Sequence, residues 1–218
     1  MSTLEESVEF TLNAQPRCPC VLILDTSGSM AGDPINALNS GLQTLHNELF
    51  RDEVAKKRVE IAVVEFNSSV RVVQDFVTVE DFRPPTLAAS GTTDLVGGVN
   101  QAFDLLQYRK RQYHSNGVPY YRPWAFLITD GQVVNHDVVA SRIREEEKQK
   151  GVAFFVVGVG NADEDSLKQI SIRPHKMLAG LKFNELFLWL SSSLQSVAQS
   201  VPGEMVALDK NTGAWELI

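Results

Sequence analysis

Asp25, Ser27 and Ser29 stand at alternate positions directly after the apolar run Val21-Leu22-Ile23-Leu24. Residues of buried-strand type that run into Asp-x-Ser-x-Ser bring one carboxylate and two hydroxyls onto a single tight loop. Gly28 and Gly32 loosen the turn, and Asp33-Pro34 then opens a helix. The carboxyl edge of an open α/β sheet is where such folds bind their ligands. Hard oxygen donors, with no nitrogen or sulfur among them, suit Mg²⁺ or Mn²⁺ better than zinc or copper. Asp and Ser also favour turns and caps for local reasons. The chemistry therefore depends on further donors reaching the same place.

The elements that would position this loop can be read in order. The alternation Val8-Glu9-Phe10-Thr11-Leu12 fits an extra edge strand. Cys20–Leu24 is the first firm strand. Asp33 as cap and Pro34 in the first turn start a helix with Ile35, Leu38, Leu42, Leu45 and Leu49 as its buried stripe. Lys56-Lys57-Arg58 suit its carboxyl end. Val59–Phe66 and Val70–Phe76, joined by Asn67-Ser68-Ser69, read as an antiparallel hairpin.

A proline-containing loop, Asp81–Ala89, leads to Ser90-Gly91-Thr92-Thr93-Asp94. The helix after it has the stripe Leu95, Val99, Ala102, Phe103 and Leu106. Residues 108–123, basic and aromatic, break the pattern and read as a loop on the side away from the metal. Its Arg109, Lys110, Arg111, Tyr113, Tyr120, Tyr121 and Arg122 suit a second contact surface, or a solvated loop whose tyrosines pack on the underside.

Trp124–Thr129 is a strand ending in Asp130-Gly131. A helix over Asp137–Lys150, an apolar strand Val152–Val159, a short helix Asp163–Ile170, a strand Lys176–Leu178 and a helix Asn184–Val201 follow. The tail around Asn211-Thr212-Gly213 suits a hairpin. Strands alternating with helices, and continuous apolar strands, predict a doubly wound α/β sheet.

Three loops thus converge on one sheet edge. They carry Asp25, Ser27 and Ser29; Thr92 and Thr93; and Asp130. Two carboxylates and three hydroxyls supply direct or water-bridged contacts to Mg²⁺ and leave a coordination position open. Hydroxyls are weak donors, so the metal stays electron-poor and favours a carboxylate from a partner.

Other chemistries fare worse. A net charge of −7 argues against nucleic acid as a general partner. No segment holds the roughly 20 apolar residues a membrane helix needs, and Met1–Gln15 is acidic with no signal-like run. Cys18 and Cys20 flank Pro19, too close for an ordinary disulfide, and fit a buried thiol pair in a reducing cytoplasm. His46, His114, His136 and His175 are scattered; His136 is the one near the site, and a solvated place suits it better. No nucleophile elbow or P-loop occurs, and Gly158-Val159-Gly160 lacks the third glycine of a dinucleotide loop.

Asp25-x-Ser27-x-Ser29, Ser90-Gly91-Thr92-Thr93 and Ile128-Thr129-Asp130-Gly131 together resemble the von Willebrand factor A domain and its metal-ion-dependent adhesion site. The likeness covers about residues 18–200, with 1–17 as an N-terminal extension, 18–201 as the domain and 202–218 as a tail. It implies a mostly parallel, Rossmann-like central sheet with one antiparallel edge strand, Val70–Phe76. It also implies that Ser27 and Ser29 ligate metal directly, and that Asp25 and Asp130 hold it directly or through water. A threonine ligates in the ligand-bound arrangement: Thr93 by counting back from Val99 and Gly98, with Thr92 the alternative. Asp25-Thr26-Ser27-Gly28-Ser29-Met30, Gly32-Asp33-Pro34-Ile35 and the Leu127–Gly131 strand end further resemble bacterial tellurium-resistance-associated proteins of TerY type.

Two functions follow from these residues. One is a non-catalytic, cytoplasmic protein-binding module whose metal takes a partner's Asp or Glu. On the TerY likeness, it would serve a tellurite or stress-response system with kinase and phosphatase partners. The alternative is a Mg²⁺-dependent phosphoesterase or phosphotransferase. Phosphatases of this architecture use Asp-x-Asp, however, and Ser27 replaces the second Asp here.

Overall fold

Every residue of β1 (Cys18–Asp25) is buried, as the continuous apolar run requires of a strand covered on both faces. The computed structural model describes residues 4–131 and 136–204, together with 206, 208 and 216. Its strands are β1, β2 (Val59–Phe66), β3 (Val70–Thr78), β4 (Trp124–Thr129), β5 (Ala153–Val159) and β6 (Lys176–Leu178). They form one sheet in the order β3-β2-β1-β4-β5-β6. All neighbours run parallel except β2 and β3, the antiparallel edge pair.

The helices are α1 (Leu4–Leu12), α2 (Asp33–Arg51), α3 (Ala55–Arg58), α4 (Leu95–Ser115), α5 (His136–Lys148), α6 (Glu164–Ile170) and α7 (Phe183–Gln199). The pleat of β1 sorts its side chains by alternation. Cys18, Cys20, Leu22 and Leu24 join the core under α2 and α7. Val21 and Ile23 join the core under α4, α5 and α6. The architecture is thus the three-layered, mostly parallel α/β sheet expected. Both cysteines are free and buried, and burial, aided by the charge of Glu60, pushes the Cys18 thiol up to about 12. Among the described residues no helix is long and apolar enough to cross a membrane.

Five local expectations need correction. Residues 8–12 are helical, not an edge strand: they end α1. Five alternating residues are too few to separate the two periods, and Phe10 supplies the buried contact. Asp33 is the first residue of α2 rather than its cap. The cap is Gly32, with φ +83°, a backbone that glycine adopts without strain.

Lys56-Lys57-Arg58 do not close α2. Asp52 ends it and accepts from the amides of Val54 and Ala55 at 2.9 and 2.8 Å, starting the separate α3. Residues 108–115 are not a loop, because α4 continues to Ser115. Arg109 and Tyr113 extend its buried stripe, the cation being neutralised by Glu60. The proposed second contact surface is dismantled with it. Arg109, Tyr113 and Tyr121 are buried, and Arg122 is bound to Glu147 at 2.6 Å. The hairpin expected at Asn211-Thr212-Gly213 lies outside the described residues; Glu216 nearby makes an antiparallel bridge to Leu178.

Candidate metal site

The chain leaves β1 to build β2 on one side and returns to place β4 on the other. The carboxyl ends of β1 and β4 are therefore the point where strand order reverses, the usual crevice for a ligand. Asp25 ends β1, and Asp130 follows β4 by one residue.

Asp25 is fully buried. Its Oδ1 accepts from the Ser27 amide at 2.9 Å, and its Oδ2 accepts from the Thr129 hydroxyl at 2.5 Å. Ser27 is 2 % exposed, whereas Ser29 is open. Their hydroxyl oxygens lie 3.0 Å apart. Ser29 Oγ donates to Asp130 Oδ1 at 2.8 Å, which leaves Ser27 to donate to Ser29. One chain of hydrogen bonds thus runs Ser27, Ser29, Asp130.

Thr93 is half-buried beside them. A β-carbon placed on Gly131 would lie 3.4 Å from Thr93 Cγ2 and 3.5 Å from Asp25 Oδ2. Thr92 is turned elsewhere, its hydroxyl 3.1 Å from Ser68 Oγ. The structure therefore brings Asp25, Ser27, Ser29, Thr93 and Asp130 to one corner and leaves Thr92 at its edge. The side chain of His136 lies outside the described residues.

Burial pushes the Asp130 carboxyl above its ordinary range, and the charge of Asp25 adds to this. The bond from Ser29 works the other way. Among the described residues no Lys, Arg or His forms an ion pair with either carboxylate. Two neighbouring carboxylates without a cation, ringed by hydroxyls, are a donor set that fits a hard divalent ion. Among the described residues no three His, Cys, Asp or Glu gather at any one place, so an ion at this corner would rest on two carboxylates and the hydroxyls around them.

Sequence reasoning missed Thr129. Its hydroxyl donates to Asp25 and accepts from the Gly131 amide at 3.1 Å, so it orients the deepest carboxylate. The signal available was a hydroxyl ending an otherwise apolar strand. The turn at 67–69 stands where the sequence places it, but its contact with the Asp25 loop was missed: Asn67 Nδ2 donates to Thr26 Oγ1 at 3.2 Å.

These features define an open α/β domain with an oxygen-lined loop cluster at its switch point. The model of the von Willebrand factor type A domain matches residues 20–187, and the chain belongs to that family. It is 27% identical over 169 residues to the collagen alpha-6(VI) chain of Mus musculus, covering 76% of this chain and 7% of that one.

Among solved structures, the open conformation of the pilus adhesin SpaC from Lactobacillus rhamnosus GG aligns with a TM-score of 0.67 at 13% identity. That match covers 85% of this chain and 31% of the adhesin. Proximal thread matrix protein 1 from the mussel byssus, with a zinc-occupied MIDAS motif, aligns with a TM-score of 0.57 at 14% identity. Here the coverage is 84% and 48%. Such identities speak for a shared fold, and the chain spans less than half of each of these relatives.

Proposed function

We propose that the chain is a non-catalytic module that binds a protein partner through a divalent metal. The observation that carries this reading is the meeting of two carboxylates and the Ser27 and Ser29 hydroxyls at the switch point, with Thr93 beside them and, among the described residues, no ion pair to either carboxylate. Asp25, Ser27, Ser29, Thr93 and Asp130 would hold the ion. When bound, it supplies an electron-poor centre for an oxygen donor, and a partner's Asp or Glu suits it best.

Zinc in the mussel protein's MIDAS motif shows that a relative of this fold holds a metal at a site of that name. The all-oxygen donor set here favours Mg²⁺ or Mn²⁺. Among the described residues no Lys or Arg is paired with the carboxylates to meet a phosphoryl group at this corner, which weighs against the phosphoesterase reading. The motif likeness to TerY-type proteins supports a place in a cytoplasmic bacterial tellurite or stress response, with a kinase and a phosphatase as partners.

Calorimetric titration with Mg²⁺ and Mn²⁺ tests the site. The wild type should bind, and Ser27→Ala and Asp130→Ala should not while remaining folded. Pull-down with and without chelator should show the partner lost with the metal. Metal binding unchanged in both variants would remove the assignment.

A further inference from the structure

The turn joining β2 to β3 contributes nothing to the donor set, yet it touches the loops that carry it. Asn67 accepts from the Asp94 amide through its carbonyl at 2.8 Å, while its side-chain amide reaches Thr26. Ser68 Oγ accepts from the Thr92 amide at 2.9 Å and lies 3.1 Å from the Thr92 hydroxyl. The Gly91 carbonyl accepts from the Gly28 amide at 2.9 Å, tying the same segment to the Asp25 loop.

The fit around Ser68 is close. Gly91 has φ +74°, and a β-carbon there would lie 2.3 Å from Ser68 Oγ. Only glycine lets the loop close onto that hydroxyl. Thr92 is thus held at both its amide and its hydroxyl, and Thr93 is the next residue.

Ser68 itself is exposed. Water could satisfy its hydroxyl, so burial does not force these bonds. Their consequence is geometric: they order the threonine segment in advance. A loop ordered before the ion arrives gives up its freedom on folding rather than on binding, which favours affinity.

We propose that Ser68 is a positioning residue for the metal site, acting through Thr92 to set the Thr93 hydroxyl. This rests on the reading of the cluster as a Mg²⁺ or Mn²⁺ site. It adds a residue from a fourth loop to the three that supply donors.

The test is a Mn²⁺ titration followed by electron paramagnetic resonance on the wild type, Ser68→Ala, Ser68→Thr, Thr93→Ala and the Ser68→Ala/Thr93→Ala double variant. Melting temperatures are taken in chelator alongside. Ser68→Ala should weaken Mn²⁺ binding about three- to tenfold, the effect of one ordinary hydrogen bond. Ser68→Thr, which keeps the hydroxyl, should recover most of the loss. In the Thr93→Ala background Ser68→Ala should cost nothing more, because the two act as one unit.

Metal-free melting should be the same in Ser68→Ala and wild type. Unchanged affinity in Ser68→Ala, an undiminished loss in the Thr93→Ala background, or a loss matched by lower metal-free melting would each overturn the proposal. Wild-type protein that binds no Mn²⁺ would overturn the site reading and this inference together. Wild-type binding with any of the other adverse results overturns this inference alone.

Discussion

Asp130 is a liability to the metal-free protein. Its carboxyl is raised by burial and by the neighbouring Asp25, so the fold holds the charged form less well than the unfolded chain does. That penalty is present above the raised folded value and fades as pH falls through it. A bound cation reverses the sign, since it favours the deprotonated carboxylate. Asp130→Asn keeps an oxygen for Ser29 to donate to and removes the charge. Its melting temperature in chelator should equal or exceed the wild type's at neutral pH, and the upward shift on adding Mg²⁺ should vanish. A fall of several degrees in chelator would refute this account of the charge. Asp25 should behave differently, because two buried groups depend on it. Asp25→Ala strands the Ser27 amide and the Thr129 hydroxyl, an expected loss of about 1–3 kcal/mol measured by urea unfolding even without metal.

At the scale of elements, the end of the sheet opposite the Asp25–Asp130 corner is held by charge. Glu60, at the start of β2, is fully buried. Arg109 donates to its Oε2 and Oε1, both at 2.8 Å, from Nε and Nη2. The Tyr113 hydroxyl also donates to it, and Arg17 Nε lies 2.8 Å away. Breaking a buried pair from one side leaves the other charges uncompensated. Glu60→Gln should therefore lower unfolding free energy by roughly 3–5 kcal/mol, and denaturation that matches the wild type would contradict this. The same cluster explains what the chain disclosed and what it withheld. Trp124–Thr129 is a strand at the bounds its residues predict, because an apolar run records burial locally. The extension of α4 through Arg109 was hidden, because a cation on a buried stripe is tolerated only thanks to Glu60, which lies 49 positions earlier. That Asp25, Ser27, Ser29 and Asp130 would meet was legible as a spacing at strand ends. Thr129 and Ser68 were not, since their value lies in which distant atom each hydroxyl meets.

Across the whole molecule, α1 and the corner proposed to hold the metal sit at opposite ends of the sheet. Phe10 of α1 is buried with an edge contact to Tyr113, ring centroids 5.8 Å apart. It also packs under the Arg109 guanidinium at 4.9 Å, and Glu9 pairs with that same arginine. Deleting residues 1–12 uncovers these groups, and losing one buried Phe alone is worth about 1.5–3 kcal/mol. The melting temperature should fall measurably. Metal affinity should not. Between Cys18 and Asp25 β1 makes seven steps of about 3.3 Å, so the base lies roughly 23 Å from the site. Charges at the protein surface are screened within about 8 Å at physiological salt, so removing Glu9 should not be felt at Asp25. Mg²⁺ dissociation constants of the truncated and full chains should agree within about twofold, a difference below 0.5 kcal/mol. A truncated protein that melts like the full chain would mean α1 is only loosely attached. One that loses metal affinity as it loses stability would show that β1 transmits strain along its length, and the two ends of the domain would have to be treated as one cooperative unit.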